Sequence, residues 1–450
     1  MDISEIKNFI IKGANSLEIK KWDFGASFSN DFSVQVDKGE AKQLKASQKQ
    51  IMTLRVWNTH NLVGITTTSD LSEEGLLKAL YQANLASNYG NKFEKTNFSP
   101  LSKDPIPKFE SRINKPSGIR KLLKILRNAE DKLLKSNQAI KSVPYNGLSE
   151  SFFKRIYANS DGALRSYENS QAALYLYARA EEIDKKPRSS GSVKLGYVVD
   201  EINIEECIKE ASDKTISHLN YSNIKTGKYK ICFSPEAFLT LLNAFSSIFN
   251  ARSILDGVSI SSKESIGKDI FSSCINIYDD GLHTENISSA PFDGEGTPTK
   301  KICIIKEGKL KNLLHSEATA RIFKTNPTGH AGLGSKVSVS PDWLIIEKSK
   351  KDSSLLSNLE YENYKGEFIY IEELNAIHAG VKASQGSFSL PFDGWKYNNG
   401  EKTSIDSATV AGDFMNLAKN IINIENKQIT TTNGISPHIW INELSITGDA

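Results

Sequence analysis

Alternating apolar and polar residues near the start of the chain predict a group of strands. Residues 32–36 and 51–57 alternate between the two classes, and β-branched residues are frequent in 62–68. A period of two is typical of strands with one buried face. The polar residues 37–40, which include a glycine, predict a tight turn between the first two segments. The first hundred residues are therefore predicted to begin with hairpins.

Apolar residues at helical spacing predict three helices in the first half of the chain. Asp70 and Glu73 match a capping box ahead of the first helix. The second helix is predicted near 118–136 and the third near 204–219. Four prolines within 100–116 predict an irregular connector before the second helix.

The second half of the chain, from Lys228 onward, is rich in predicted strands. Asn399-Gly400 predicts a hairpin, because both residues tolerate the positive φ of a type I′ turn. The fold class is therefore predicted to be α+β, with two small α/β modules followed by an antiparallel β-rich domain. The predicted boundaries are 1–100 for the N-terminal module, 101–224 for the middle module with its proline-rich entry, and 225–450 for the C-terminal domain.

A further helix begins after Ser234 and has clear start signals. Ser234 is a good N-cap, Pro235 suits the first turn, and Glu236 complements the helix dipole. One face is apolar: Phe238, Leu241, Leu242, Phe245, Ile248 and Phe249. The other face is polar and uncharged: Asn243, Ser246, Ser247 and Asn250. Taken alone, this pattern predicts a well-buried structural helix.

Local motifs for common catalytic sites are absent from the sequence. No two histidines lie within fourteen positions of one another, which excludes motifs that place two histidine ligands on one helix. The nucleophile motif G-x-S-x-G is also absent. The four cysteines form no C-x-x-C pair, so we interpret them as reduced, mostly structural thiols. A metal site assembled from distant residues remains an open alternative.

Two glycine-bearing segments are candidates for binding. The segment 293–298, Asp-Gly-Glu-Gly-Thr-Pro, has two close carboxylates that could bind a cation or a peptide amine, although a tight acidic turn is the favoured interpretation. The segment 329–336 resembles a phosphate loop, but its lysine does not directly follow the last glycine. We interpret the second segment as a structural turn.

Composition favours a soluble globular protein. The chain has 56 basic and 53 acidic side chains, a net charge of +3, and 39% hydrophobic residues. No uncharged apolar run approaches the ~18 residues that a membrane-spanning helix needs. The first residues carry acid where a secretory signal carries base. We expect a cytoplasmic protein with no membrane contact.

One stretch is locally basic. Between Lys103 and Lys141 there are 11 basic and 4 acidic residues, an excess of seven positive charges. These charges surround apolar residues at helical spacing, which is typical of a solvated amphipathic face. A contact with a polyanion or with an acidic partner is the alternative interpretation.

Several short blocks between about residue 66 and residue 448 carry a family resemblance. They are 66–71, 234–236, 291–298, 328–330, 386–390, 411–414 and 437–448. Each block is weak alone, but together and in this order they make the chain resemble the TldD/PmbA family, most closely its PmbA (TldE-like) branch.

The resemblance implies a two-part fold with a β-rich C-terminal half, and a pairing of two related subunits in a zinc metallopeptidase. In the zinc-bearing branch the central helix carries His-Glu-x-x-x-His. At those positions this chain has Asn243, Ala244 and Ile248. Asparagine and isoleucine do not replace imidazole on zinc, and alanine cannot polarise a water molecule. We therefore expect no catalytic residue, metal or cofactor in this chain, and zinc in a partner subunit.

The leading hypothesis is a TldE-like subunit that pairs with a TldD-like zinc subunit, or forms a homodimer when isolated, to cleave peptides or unfolded proteins. The alternative is a regulatory binding protein without a peptidase role, in line with the family's older description as a modulator of DNA gyrase. A stand-alone hydrolase is a third possibility, and direct nucleic-acid binding is not expected. The candidate contacts to substrate or partner are Asp293, Gly294, Glu295, Thr297, Thr328, His330, Ser387 and Phe388.

Overall fold

The computed structural model describes residues 3–91, 96–334, 336–350 and 360–448. Within these ranges no helix is long and apolar enough to cross a membrane. The elements of the first half are α1 (Ile3–Ser16), β1 (Lys21–Asp37), β2 (Glu40–Trp57), β3 (Val63–Thr68), α2 (Glu73–Ser87), α3 (Ile119–Ser136), β4 (Ile140–Asn159), β5 (Leu164–Ala180), β6 (Arg188–Gly196) and α4 (Ile204–Ser217).

The six strands of the first half form one antiparallel sheet in the order β3-β2-β1-β4-β5-β6. Strand β1, from the predicted N-terminal module, pairs with β4, from the predicted middle module, between Asp23↔Asn159 and Val34↔Leu148. Two apolar clusters lie on the sheet, with α1 and α2 packed over one part and α3 and α4 over another. Each cluster takes residues from both modules, Val34 and Val36 in one and Ile156 and Ala158 in the other, so the two modules share the sheet and both of its cores.

The helices cover one face of this sheet, and the opposite face is polar along β1. On β1 the apolar residues of both clusters stand at even positions, so the odd positions point the other way. Those odd positions are Asp23, Gly25, Ser27, Ser29, Asp31 and Ser33. The C-terminal half of the chain covers this polar face at the Asp23 end, and the remainder stays partly exposed.

The second half of the chain contains short helices between many strands. Its elements are β7 (Tyr221–Ser222), β8 (Gly227–Phe233), α5 (Pro235–Ala244), α6 (Ala251–Leu255), β9 (Ile275–Asp279), β10 (Ile302–Lys306), β11 (Lys309–Leu310), α7 (Glu317–Phe323), β12 (Ala331–Gly332), β13 (Ser338–Val339), β14 (Leu344–Lys348), β15 (Phe368–Leu374), α8 (Ile377–Gly380), β16 (Val381–Lys382), β17 (Ser387–Asn398), β18 (Glu401–Ile405), β19 (Ala408–Asp413), α9 (Phe414–Lys419), β20 (Ile421–Ile424), β21 (Ile429–Thr430), β22 (Gly434–Ser436) and β23 (Ile439–Gly448).

These strands form two larger sheets around one apolar core. The larger sheet has the order β15-β8-β23-β19-β17-β18-β7, with β16 and β20 added on β17 and β23. The second sheet has the order β11-β10-β9-β14-β22-β21. Residues of both sheets and of α5 belong to the same buried cluster. The α+β class with a β-rich C-terminal region is confirmed.

The predicted start and buried face of the central helix are also confirmed. The Ser234 hydroxyl accepts a hydrogen bond of 3.0 Å from the Ala237 backbone N–H. The helix α5 ends at Ala244, earlier than the apolar pattern alone implied, and a 3-10 turn follows at Ser246–Phe249. All six residues of the predicted apolar face are 0% exposed.

The predicted capping box of α2 is wrong. The N-cap is Ser72, whose hydroxyl accepts a hydrogen bond of 3.1 Å from the Gly75 backbone N–H. Asp70 lies two residues earlier, and its carboxylate accepts hydrogen bonds from the backbone and the hydroxyl of Ser72. The carboxylate therefore orients the cap and does not itself cap the helix.

Candidate functional site

The segment 291–298 forms a closed acidic loop where the C-terminal half meets the polar face of the first sheet. Asp293 holds this loop together: its Oδ1 accepts hydrogen bonds of 2.9 Å from the backbone N–H groups of Glu295 and Thr297. Its Oδ2 accepts one of 2.9 Å from the Ala331 backbone N–H. Burial, followed by the charge of Glu295, raises the pKa of Asp293 to about 7.

Gly296 lets the loop fit against the sheet. Its φ of 74° favours glycine, and an added Cβ would lie 2.4 Å from the ring of Tyr157 on β4. Next to this contact, the ring of Phe292 packs edge-on against Tyr167 of β5, with ring centroids 5.3 Å apart. The Thr297 hydroxyl donates to Ser99 at 2.8 Å. The loop is thus fixed by contacts with the first half of the chain.

A buried ionic cluster lies beneath the loop. Arg55 of β2 lies opposite Asp23 of β1 and donates to both of its carboxylate oxygens, at 2.9 and 2.6 Å. The third guanidinium contact is to Glu295 Oε1, at 2.9 Å. The three side chains are at most 1% exposed, so the arginine is satisfied by partners from both halves of the chain. Tyr157 donates to Asp23 at 3.1 Å.

Glu295 also connects the cluster to α7. Its Oε2 accepts a hydrogen bond of 2.8 Å from the Glu317 backbone N–H at the first residue of that helix. The Glu317 carboxylate in turn accepts from the Asn97 backbone N–H at 2.8 Å and from Arg321 at 3.0 Å. Burial raises the pKa of Glu317. One glutamate therefore joins a strand of the first sheet to a helix of the second half.

Thr328 and His330 lie behind the loop and are also buried. The Thr328 hydroxyl lies 3.0 Å from His330 Nδ1 and accepts a hydrogen bond of 2.8 Å from the His315 backbone N–H. His330 Nε2 is 3.3 Å from an oxygen of Asp279. Burial alone would lower the pKa of His330, but the contact with Asp279 outweighs it and raises the pKa. Both residues are 6% exposed or less, which favours a structural role.

A cavity opens beside the acidic loop, between the loop and the polar face of the first sheet. Its volume is ≈ 270 Å³, slightly below the range of about 300–1,000 Å³ that is typical of ligand pockets. Its walls include Gly25, Ser27, Ile51, Arg155, Asp293 and Leu333. Arg155 is exposed at this wall, whereas Asp293 and Gly294 are partly buried. We call this space the junction cavity.

The degenerate zinc-motif positions lie elsewhere, at the end of α5. Asn243 and Ala244 are half-buried in the last turn of the helix, and Ile248 is 0% exposed on the following 3-10 turn. Phe388 packs against this region, with its ring centroid 6.3 Å from that of Phe245. Ser387 precedes it as the first residue of β17. Within the ranges that the structure describes, no group of three or more His, Cys, Asp or Glu residues could hold a metal ion.

The eight candidate contacts therefore fall into two places. Six belong to the acidic loop and the Thr328–His330 segment behind it, and Ser387 and Phe388 lie beside α5. Of the six, Asp293 and Gly294 line the junction cavity, while the side chains of Glu295 and Thr297 are bonded within the chain. This arrangement can hold a ligand by polar and backbone contacts, but it shows no nucleophile paired with a base.

Sequence reasoning missed the residues that anchor the loop to the first sheet. Asp23, Arg55 and Tyr157 come from three different strands and match no motif. No clear signal was present in the sequence: Arg55 stands at a polar position of the alternating segment 51–57, where a solvated side chain is expected. Its partners, 32 and 240 positions away, cannot be identified from one sequence.

Comparison with known proteins gives two family-model matches. A model described as the PmbA/TldA metallopeptidase central domain matches residues 114–219, and one described as the PmbA/TldA metallopeptidase C-terminal domain matches residues 226–448. Together the two ranges cover well over half of the chain.

Individual relatives carry related descriptions. The chain is 23% identical over 334 residues to the metalloprotease PmbA of Escherichia coli O157:H7, covering 72% of this chain and 69% of that protein. It is 22% identical over 327 residues to a zinc metalloprotease TldD homologue of Saccharolobus solfataricus, covering 69% and 72%.

Solved structures share the fold over nearly the whole chain. A Thermotoga maritima protein described as a modulator of a DNA gyrase superposes with a TM-score of 0.87 at 22% identity, covering 99% of this chain and 100% of that one. TldE from Thermococcus kodakarensis superposes with a TM-score of 0.81 at 19% identity, covering 98% and 100%. At these identities the likeness shows the fold alone.

Proposed function

This chain belongs to the PmbA/TldD family of metallopeptidases, and we propose on that premise that it is the zinc-free, TldE-like member of a two-subunit peptidase. Its proposed partner is a TldD-like subunit that carries the zinc, and its proposed substrates are peptides or unfolded protein segments. The observation that carries the proposal is the combination of Asn243, Ala244 and Ile248 at the positions where the zinc-bearing branch has His, Glu and His.

The surroundings of these residues do not fit a zinc ion. Ile248 lies in the apolar core, and α5 ends before it, so positions 243 and 248 do not lie on one continuous helix. Zinc sites use nitrogen, sulfur or carboxylate ligands, usually three from the protein in a catalytic site. Neither an amide nor an aliphatic side chain in this environment meets that need, so we assign no catalytic step to this chain.

The proposed contribution of this chain is to hold substrate. The junction cavity continues onto the open polar face of the first sheet, which is lined by small hydroxyl side chains such as Ser27 and Ser29. Asp293 and Gly294 provide polar groups on one wall, and Arg155 provides a positive charge. Such a surface suits a flexible polypeptide better than it suits a rigid small molecule.

Nucleic acid is not among the proposed partners, because the basic helix α3 is largely neutralised by its neighbours. Lys121 lies 2.7 Å from Asp200, Arg127 lies 3.3 Å from Glu40, and Lys135 lies 2.8 Å from Asp131. Lys132 also pairs with Glu205. A phosphate-binding face requires cations that are free to replace counterions.

The proposal predicts that the purified chain carries no stoichiometric zinc and cleaves no peptide by itself. Peptidase activity should appear when it is mixed with a paralogue that carries His-Glu-x-x-x-His, and chelation should remove it. Elemental analysis and a fluorogenic-peptide assay check both points. About one zinc per isolated chain, with activity lost on chelation, would contradict the proposal.

Restoring the motif should not create a peptidase. In the variant Asn243→His/Ala244→Glu/Ile248→His, the second imidazole enters a fully buried apolar site without a partner, at a cost of about 1–3 kcal/mol. We expect a less stable protein with weak or absent zinc binding, measured by calorimetric titration. The variant Asn243→His alone is the matched control, because its side chain is only half-buried. Tight one-to-one zinc binding with turnover by the triple variant would show that this chain retains the rest of a catalytic site.

A further inference from the structure

The outer side of β2 is unpaired over most of the strand's length. Strand β3 pairs with β2 only between Met52 and Trp57, whereas β1 pairs with β2 from Glu40 to Trp57 with one bulge at Lys42. Among the described residues, no strand pairs with this side of 40–51. The Gln50 side chain donates to the Ser69 carbonyl at 2.8 Å, so the unoccupied part ends at Lys49. We call the outer side of 40–49 the free edge.

The free edge is held in place by the rest of the sheet, so another strand can pair with it. Behind it, β1 is held in turn by β4, whose pairing with β1 reaches Val34↔Leu148. Ten residues of strand span roughly 33 Å. Every second residue of an edge strand turns its N–H and C=O groups outward, where an added strand can bind them. An added strand would extend the sheet in line with β3.

The charge of the free edge selects among possible occupants. It carries Lys42, Lys45 and Lys49 against Glu40, and Glu40 already pairs with Arg127. Lys49 is 3.9 Å from Asp31, whereas Lys42 and Lys45 have no acidic partner within ion-pair distance among the described residues. Edge lysines oppose pairing with another basic strand, including a second copy of the same edge. They favour a strand that carries acidic residues.

The free edge also leads to the junction cavity. Ile51 lies two residues beyond Lys49, the last residue of the edge, and is 50% exposed. Its side chain lines the cavity together with Gly25 and Ser27 of β1. A polypeptide bound along the edge would therefore pass beside the wall that contains Asp293.

We propose that the free edge of β2 binds extended, acidic polypeptide segments by strand addition. This inference rests on the proposed function, because it specifies the class of substrate that the chain holds for the peptidase pair. Main-chain hydrogen bonds give a binding mode that tolerates sequence variation, and the lysines add the preference for acidic residues.

A binding experiment on the isolated chain tests the inference. The probe is a fluorescein-labelled peptide of about ten residues in which Glu and Thr alternate. Fluorescence anisotropy should show binding, and the matched peptide with Lys in place of Glu should bind at least roughly tenfold more weakly. Lys42→Glu/Lys45→Glu should weaken binding of the acidic peptide by a similar factor. Lys268→Glu/Lys419→Glu makes the same charge change at exposed sites elsewhere and should have little effect.

Backbone methylation of the peptide distinguishes strand addition from charge attraction alone. An added strand turns only alternate N–H groups toward its neighbour. N-methylation of one alternate set of amides should therefore abolish binding, and methylation of the other set should be tolerated. Equal effects of the two sets, or no difference between the acidic and basic peptides, would overturn the inference.

Two further outcomes separate this inference from the proposed function. Slow hydrogen exchange of the 42–48 amides without peptide, together with a dimer in sedimentation, would place a second copy on the edge and overturn the inference. If the reconstituted pair cleaves peptides at a rate that Lys42→Glu/Lys45→Glu does not change for acidic or basic substrates, the function holds and the inference fails. If the isolated chain binds the acidic peptide as described, the inference holds even where no zinc paralogue gives activity.

Discussion

The two parts of strand β2 place similar residues in opposite environments. Every residue from 52 to 57 is buried, and every residue from 40 to 51 is exposed except Ser47, which is half-buried. Arg55 in the inner part is 1% exposed and bonded to two carboxylates, whereas Lys45 in the outer part is surrounded by solvent. The strand is continuous, so the difference comes from what covers it: β3, α2 and the acidic loop on the inner part only.

This contrast shows how charge serves the molecule in two ways. In the inner part, Arg55 joins the two halves of the chain. Its burial is favourable only because both carboxylates are present. In the outer part, the cations stay hydrated, so they have little effect on the free energy of folding. Their charge determines which strands can approach the edge. The same residue class therefore stabilises the junction at one end and determines specificity at the other.

The largest expected effect comes from breaking the inner part. Arg55→Leu leaves Asp23 and Glu295 buried without their cation, which should cost about 3–5 kcal/mol of unfolding free energy. Urea unfolding followed by circular dichroism measures the loss. Arg55→Lys keeps a charge but cannot reproduce the three contacts, so we expect an intermediate loss. A midpoint for Arg55→Leu equal to that of the wild type would show that the junction does not depend on this cluster.

A smaller effect is expected from acidification of the junction. Burial lowers the pKa of His315, behind the acidic loop, to about 4. The unfolded chain binds a proton at this residue near its usual pKa of about 6.5, so acidification from pH 7 toward pH 4 favours unfolding. The expected loss from this residue is on the order of 2 kcal/mol.

The contribution of His315 is isolated by a difference measurement. The fall in stability between pH 7 and pH 4.5 should be smaller in His315→Gln than in the wild type. His378→Gln is the control, because it removes an exposed imidazole from α8. Identical pH profiles for the wild type and His315→Gln would refute the assignment.

The smallest effect is expected at the free edge. Lys42→Glu/Lys45→Glu should change the unfolding free energy by less than about 1 kcal/mol, because both side chains are exposed. The same urea titration measures it beside Arg55→Leu. A loss comparable to that of Arg55→Leu would erase the distinction between the two parts of the strand.

Elements with strong local signals could be predicted from the sequence. The turn between β1 and β2 places Lys38 and Gly39 at φ of 52° and 79°, and the Asn399-Gly400 hairpin has φ of 52° and 90°. At Gly39, Asn399 and Gly400 these conformations follow from residue type, since glycine and asparagine accept positive φ at low cost, whereas the positive φ of Lys38 does not. The helix α3 lies at Ile119–Ser136, close to the predicted 118–136, because its apolar spacing is regular.

Strand extents were predicted poorly in β1 and β2. Strand β1 begins at Lys21 and β2 begins at Glu40, whereas the alternating pattern marked only 32–36 and 51–57. Alternation reports a strand with one buried and one solvated face. The omitted part of β2 is an edge exposed on both faces, which leaves no such pattern. The omitted part of β1 does alternate, from Trp22 to Ser29, so the signal for that part was present in the sequence and was missed.

The sequence by itself determined the β-rich C-terminal half, the buried central helix and the absence of zinc-binding side chains at Asn243, Ala244 and Ile248, because these follow from local spacing and side-chain chemistry. The tertiary structure alone decided that both N-terminal modules share one sheet, that Glu295 and Arg55 join the two halves, and that one side of β2 stays open. Those features depend on contacts between residues far apart in the chain, for which a single sequence carries no periodic signal.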